Sequence, residues 1–304
     1  MQSDHARGAP RPVAGLSELV ADYDLILCDV WGVLHNGLAA YPHAGEALVR
    51  ARARGLKVVL VSNAPRPNAY IGTMLDQLGV PRAAYDAIVT SGDVTRAELE
   101  RRPGARMFHI GPPRDLPTFD GLDLTLSGPD QADVVVCTGL FNDDVEGPQD
   151  YREVLGALQA RGVPLICANP DIVVERGDTL IYCAGALAQL YDQIGGISVY
   201  CGKPHRPIYD AALASAAALS GSATVDHAPA APRVLCIGDA LNTDILGATQ
   251  CGFDSLFIAG GIHAADLGMK GDHLPAPAAL ERLFSGRTTA RAVMARLAWT
   301  SHEL

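Results

Sequence analysis

Apolar residues in this chain come in short runs that end abruptly in a polar group. Leu25-Ile26-Leu27-Cys28 stops at Asp29, Val58–Val61 stops at Ser62, and Val234–Ile237 passes through Gly238 to Asp239. Short continuous apolar runs bounded by turn residues read as strands buried on both faces. Between them lie helical patterns closed by glycine: Glu46–Arg54 with Gly55 before Val58–Val61, Tyr151–Arg161 with Gly162 before Pro164–Cys167, and Thr243–Cys251 with Gly252 before Ser255–Ile258. Glycine after a helix supplies a left-handed cap, and apolar strands alternating with amphipathic helices predict parallel βαβ units. The expected fold class is therefore α/β, with a doubly wound, Rossmann-like parallel sheet as its core. Ligands of such sheets bind beyond the carboxyl ends of the strands, where Asp29, Ser62 and Asp239 fall.

The 304 residues are long for one domain. The segment from Ala105 to Val199 has strand and helix material of its own, including Ala132–Cys137 and Pro164–Cys167, and it separates Ser62 from Lys203. It reads as an inserted α/β domain (105–199) between a first core part (1–104) and a second (200–304). Ser220–Pro232, rich in Ala, Ser and Pro, reads as a surface loop. A content of 48% hydrophobic and 19% charged residues indicates a globular chain, and a net charge of −10 argues against a nucleic-acid partner, leaving a small molecule. Seven cysteines without a CxxC pair sit mostly inside apolar runs, which points to reduced, buried thiols and a cytoplasmic location. No stretch reaches the ~18 apolar residues of a membrane span, and Met1–Pro12 has no apolar signal core, so no membrane partner is expected.

Asp29-Val30-Trp31-Gly32-Val33-Leu34, Ser62-Asn63, Gly202-Lys203-Pro204 and Gly238-Asp239 with Asn242-Thr243-Asp244 resemble, in order, the four motifs of the haloacid dehalogenase (HAD) superfamily. Thr90-Ser91-Gly92, Asn169-Pro170-Asp171 and Cys183-Ala184-Gly185-Ala186-Leu187 are similar to its class IIA, which carries a large cap and contains nitrophenyl, pyridoxal phosphate, sugar and nucleotide phosphatases. The resemblance runs from about Asp24 to Gly261. It implies that Asp29 is the nucleophile, that Ser62 and Asn63 receive a phosphoryl group, and that Lys203 offsets its charge. It also implies Mg²⁺ held by the carboxylates of Asp29 and Asp239 and the carbonyl of Trp31, with Asp244 as a further ligand or a partner of Lys203. Asn169 and Asp171 would meet the substrate from the cap, and a homodimer would form through the cap. Screening cations suit this chemistry, because a carboxylate attacking a phosphate dianion meets strong repulsion.

Trp31 stands where the resemblance implies a second aspartate, the general acid and base, a role typically worth about 10²- to 10⁴-fold. Three consequences are open: His35 substitutes, having an ordinary pKa near 6.5; the substrate carries a leaving group that needs no acid, such as a phenol or an acyl phosphate; or the protein binds a phosphorylated ligand without turning it over. Dehalogenation is disfavoured because the Asp239 to Asp244 segment looks metal-binding. Schiff-base chemistry from the cap is disfavoured because residues 105–199 contain no lysine.

Overall fold

The computed structural model describes residues 9–176, 179–219, 231–286 and 289–300. Its elements begin with β1 (Arg11–Pro12), β2 (Leu25–Cys28), α1 (Pro42–Ala53), β3 (Lys57–Ser62), α2 (Asn68–Leu78), β4 (Ala87–Thr90) and α3 (Ser91–Leu99). There follow β5 (Ala105–Ile110), β6 (Leu124–Leu126), β7 (Val134–Cys137), α4 (Arg152–Ala160), β8 (Leu165–Cys167), β9 (Val173–Arg176), β10 (Thr179–Tyr182), α5 (Ala184–Gln193) and β11 (Ser198–Tyr200). The chain continues with α6 (Arg206–Leu219), β12 (Val234–Gly238), α7 (Leu246–Gln250), β13 (Asp254–Ile258), α8 (Pro277–Phe284) and β14 (Ala292–Met294). Two compact units emerge. One holds the described residues up to Val61, Thr73–Ile88 and those from Ala212 onward; the other holds Ser62–Gly72 and Val89–Ala211.

The first unit is built on a seven-stranded sheet in the order β1-β14-β13-β12-β2-β3-β4. β12, β2 and β3 pair in parallel, and every residue of β2 and β12 is buried, as their lack of polar side chains requires. The chain leaves β2 toward β3 on one side, while β12 arrives on the other. The crevice between β2 and β12 is thus a topological switch point. α1 begins at Pro42 rather than Glu46 because proline fixes the first helical φ and has no amide to satisfy there.

The second unit contains a five-stranded parallel sheet in the order β11-β8-β7-β5-β6. Along β7 the side chains alternate: Val135 and Cys137 pack with Leu155, Leu158 and Tyr191, and Val134 and Val136 pack with Leu99 and Ile166. Covering on both faces is why the run Val134–Cys137 is uniformly apolar. β9 and β10 form a separate antiparallel pair.

The cysteines form no disulfide among the described residues, and six of the seven are buried; burial pushes the Cys137 thiol up to about 12 and the Cys201 thiol up to about 11. Of the sequence expectations, the loop Ser220–Pro232 falls outside the described residues over 220–230, and the start of the chain over 1–8. Among the described residues no helix is long and apolar enough to cross a membrane.

Candidate functional site

The parallel register builds an acidic cluster in the first unit. Cys28 pairs with Ile237, and the Asp29 amide donates to the Ile237 carbonyl at 2.8 Å, so the two strands end side by side. Asp29 and Asp239 therefore emerge together at their carboxyl ends. Asp244 returns to the same point through a π-helical turn, Leu241–Ile245, in which the Ile245 amide reaches the Ala240 carbonyl. An α-helix from Thr243 was the expectation; the wider turn precedes the short α7 instead, a departure common at functional sites. Carboxylate oxygens of Asp29, Asp239 and Asp244 all lie within 4.8 Å of one another.

Backbone groups hold these acids. Asp239, 3% exposed, accepts the Ile262 amide on Oδ2 at 2.8 Å, and Asp244, 4% exposed, accepts the Ala240 amide on Oδ2 at 3.1 Å. Space for them comes from glycines. A Cβ at Gly238 would lie 2.1 Å from Asp244 Cγ, and one at Gly261 1.9 Å from Asp239 Oδ2. The acids were legible in the sequence, whereas the contribution of the Gly260-Gly261 pair after β13 was not. Its signal was a double glycine following a strand end on the same sheet edge. Three converging carboxylates, with no His or Cys among them, suit a hard, oxygen-seeking cation such as Mg²⁺.

The loop that follows Asp29 closes on itself. Trp31 bridges to His35, and His35 to Ala40. His35 is 2% exposed; its Nδ1 accepts the Gly37 amide at 2.9 Å, which places the ring proton on Nε2, and Nε2 finds no hydrogen-bond partner among the described residues. Burial pushes the His35 pKa below its ordinary value, so the ring is neutral near pH 7. Trp31 is partly buried, with its indole Nε1 facing Gly37, where a Cβ would lie 3.4 Å away.

In the second unit the remaining motif residues converge on Gly202. A Cβ there would meet Ser91 Oγ at 2.3 Å, Asn63 Oδ1 at 2.4 Å and Pro170 Cδ at 2.7 Å. Asn63, 5% exposed, clamps the backbone of Lys203: its Oδ1 accepts the Lys203 amide at 2.7 Å, and its Nδ2 donates to the Lys203 carbonyl at 3.1 Å and to Asp171 Oδ1 at 2.8 Å. Asn169 Oδ1 accepts the Asp171 amide at 3.1 Å, forming a turn around Pro170. Ser62 ends β3 buried, its Oγ accepting the Ala64 amide at 3.2 Å. Lys203 is itself 4% exposed.

This network makes a prediction. Asn63→Leu removes the hydrogen bonds to the Lys203 amide, the Lys203 carbonyl and Asp171 Oδ1, and a buried polar group that loses its bond costs about 1–3 kcal/mol. A fall of several degrees in melting temperature is expected by calorimetry, and a larger one for Asn63→Asp, which also sets a second carboxylate against Asp171. Unchanged melting for both would mean that the clamp does not hold Lys203.

Parallel α/β architecture with clustered carboxylates at its switch point defines a protein with an acidic centre that could hold a cation. Comparison with known proteins narrows this. Residues 26–125 match the family model described as haloacid dehalogenase-like hydrolase, and residues 200–283 match a second, HAD-hydrolase-like model. A haloacid dehalogenase-like hydrolase of Brucella suis 1330, known from its crystal structure, is 46% identical with a TM-score of 0.80, covering 94% of this chain and 100% of its own. The ribonucleotide monophosphatase NagD of Escherichia coli K12 is 28% identical over 250 residues, 79% of this chain and 89% of that protein. The human glycerol-3-phosphate phosphatase is 25% identical over 288 residues, 85% and 86% of the two chains. The chain belongs to the haloacid dehalogenase-like hydrolase family.

Proposed function

We propose that the protein is a magnesium-dependent hydrolase of small phosphomonoesters, of the size of a sugar phosphate or a nucleotide, acting through an aspartyl-phosphate on Asp29. The observation that carries this reading is the convergence of Asp29, Asp239 and Asp244 within 4.8 Å at the switch point of the sheet. The named phosphatases among the relatives support it. Asp29, Asp239, the Trp31 carbonyl and Asp244 would hold Mg²⁺, which when bound supplies positive charge against the phosphate dianion. Asp29 attacks phosphorus, Ser62 and Asn63 receive the phosphoryl group, and Lys203 offsets its charge. Asn169 and Asp171 act from the cap on the rest of the substrate. In this reading 1–104 and 200–304 form the core, 105–199 forms the cap, and the protein works in the cytoplasm as a homodimer.

Trp31 favours a second reading, a protein that keeps the phosphate and metal site but does not turn over. The two separate in one experiment: phosphate release with and without Mg²⁺ across sugar phosphates, nucleotides, pyridoxal phosphate and an aryl phosphate. Release that depends on Mg²⁺ and stops on chelation is the expected result. Calorimetric binding of a phosphorylated compound with no release would establish the second reading instead.

A further inference from the structure

Resting on the phosphatase reading, the loop after Asp29 narrows the substrate class. Residues Val30–Tyr41 contain no Asp or Glu, and their titratable side chains are His35 and Tyr41. The His35 ring is folded into its own loop, 2% exposed, with Nδ1 on the Gly37 amide and its backbone bridged to Trp31 and Ala40. Tyr41 keeps its ring under the Arg296 guanidinium, 4.7 Å from the centroid. Trp31 offers an indole N–H, a donor that does not give up its proton. The loop that follows the nucleophile therefore carries no carboxyl group, and its one imidazole is buried within the loop itself. We propose that this site is built for phosphorylated substrates whose leaving oxygen departs without a proton, that is, acyl or aryl phosphates rather than alkyl phosphate esters.

The chemistry balances without an acid. An Asp29 carboxylate oxygen bonds to phosphorus as the bond from phosphorus to the leaving oxygen breaks. The electron pair stays on that oxygen, which leaves as a carboxylate or a phenolate. Water then attacks phosphorus, the bond to Asp29 breaks and restores its carboxylate, and both hydrogens of the water leave in dihydrogen phosphate. A carboxylic acid has a pKa of about 4 and a phenol one of about 10, whereas an alkoxide leaves against a pKa approaching the 15.7 of water, so the absent acid weighs most on alkyl esters.

The test compares kcat/KM of the wild-type protein with Mg²⁺ for acetyl phosphate, a series of substituted phenyl phosphates, and the alkyl esters glycerol phosphate and a nucleoside monophosphate. Acyl and aryl substrates should exceed alkyl esters by about 10²-fold or more, with rates climbing steeply as the phenol becomes more acidic. Restoring a carboxyl group with Trp31→Asp should raise the alkyl-to-aryl ratio by about 10²-fold. The acyl and aryl arms, compared directly, decide which of the two is preferred. Wild-type activity on alkyl esters equal to that on aryl phosphates, with a flat dependence on phenol acidity, would overturn the inference and leave the phosphatase reading standing. Silence on every substrate overturns both.

Discussion

Asp29→Asn is expected to abolish magnesium-dependent phosphate release, by on the order of 10⁴-fold or more, as removal of a nucleophile does elsewhere. The same change should leave the fold at least as stable. Asp29, Asp239 and Asp244 bring carboxylate oxygens within 4.8 Å of one another, and two of these acids are buried. At an effective dielectric of about 20 each such pair repels by about 3 kcal/mol. Asparagine keeps the shape and removes one charge, so without Mg²⁺ the variant should melt several degrees above wild type. With Mg²⁺ the order should narrow or reverse, because wild type has the better cation site and binding to the folded state stabilises it. Phosphate release and paired melting curves with and without Mg²⁺ check both halves. A variant that is inactive and also markedly less stable without the metal would mean that Asp29 holds structure, and the three acids would then need another explanation.

The parts of this arrangement that were legible in the sequence are those that one strand or one turn determines. β2, the run Val58–Val61 of β3, and β12 are apolar because they are central and covered on both faces, and their ends announce Asp29, Ser62 and Asp239. Fold class followed from that punctuation, and the residues at those ends carried the resemblance to the family. What remained hidden depends on register and on close approach. Nothing local specifies that β12 lies beside β2, and the edge strand β1 and its neighbour β14, of two and three residues, are too short to make a periodic pattern. The π-helical turn that returns Asp244 is likewise invisible, since nothing in Leu241–Ile245 distinguishes a wide turn from a capped helix start. His35 is the sharpest case. Its type and spacing left it open as a substitute proton donor, and spacing could not show that its ring is buried with Nδ1 on the Gly37 amide. Asn63 behaves similarly: the motif marks it as a phosphate neighbour, and its side chain is engaged with Lys203 and Asp171.

Gly32→Ala is expected to be among the most destabilising single-methyl additions in the protein. Gly32 has φ of +79°, a left-handed conformation that costs alanine about 1–2 kcal/mol. A Cβ there would also lie 2.1 Å from Asp239 Oδ2 and 2.7 Å from Asp239 Cγ. Asp239 cannot retreat cheaply, because its Oδ2 is bound to the Ile262 amide and Gly261 presses on the same atom. Displacing it takes the bond from a half-buried amide, worth about 1 kcal/mol or more, for a combined loss of about 3 kcal/mol. Gly55→Ala is the control: its φ is +96° and nothing lies within 4 Å of its Cβ position, so it carries the backbone strain without the collision. Urea titration should therefore place Gly32→Ala well below Gly55→Ala. Shortening Asp239 to alanine removes both atoms that the new methyl would strike, so Gly32→Ala should cost less in an Asp239→Ala background, leaving a coupling of about 1–2 kcal/mol in the double-mutant cycle. Gly32→Ala should also lose most of the stabilisation that Mg²⁺ gives wild type, because the carboxylate it dislodges is one of the three that would hold the ion. Equal losses for Gly32→Ala and Gly55→Ala, with no coupling to Asp239, would show that the close approach of Gly32 to Asp239 does not set the position of this acid.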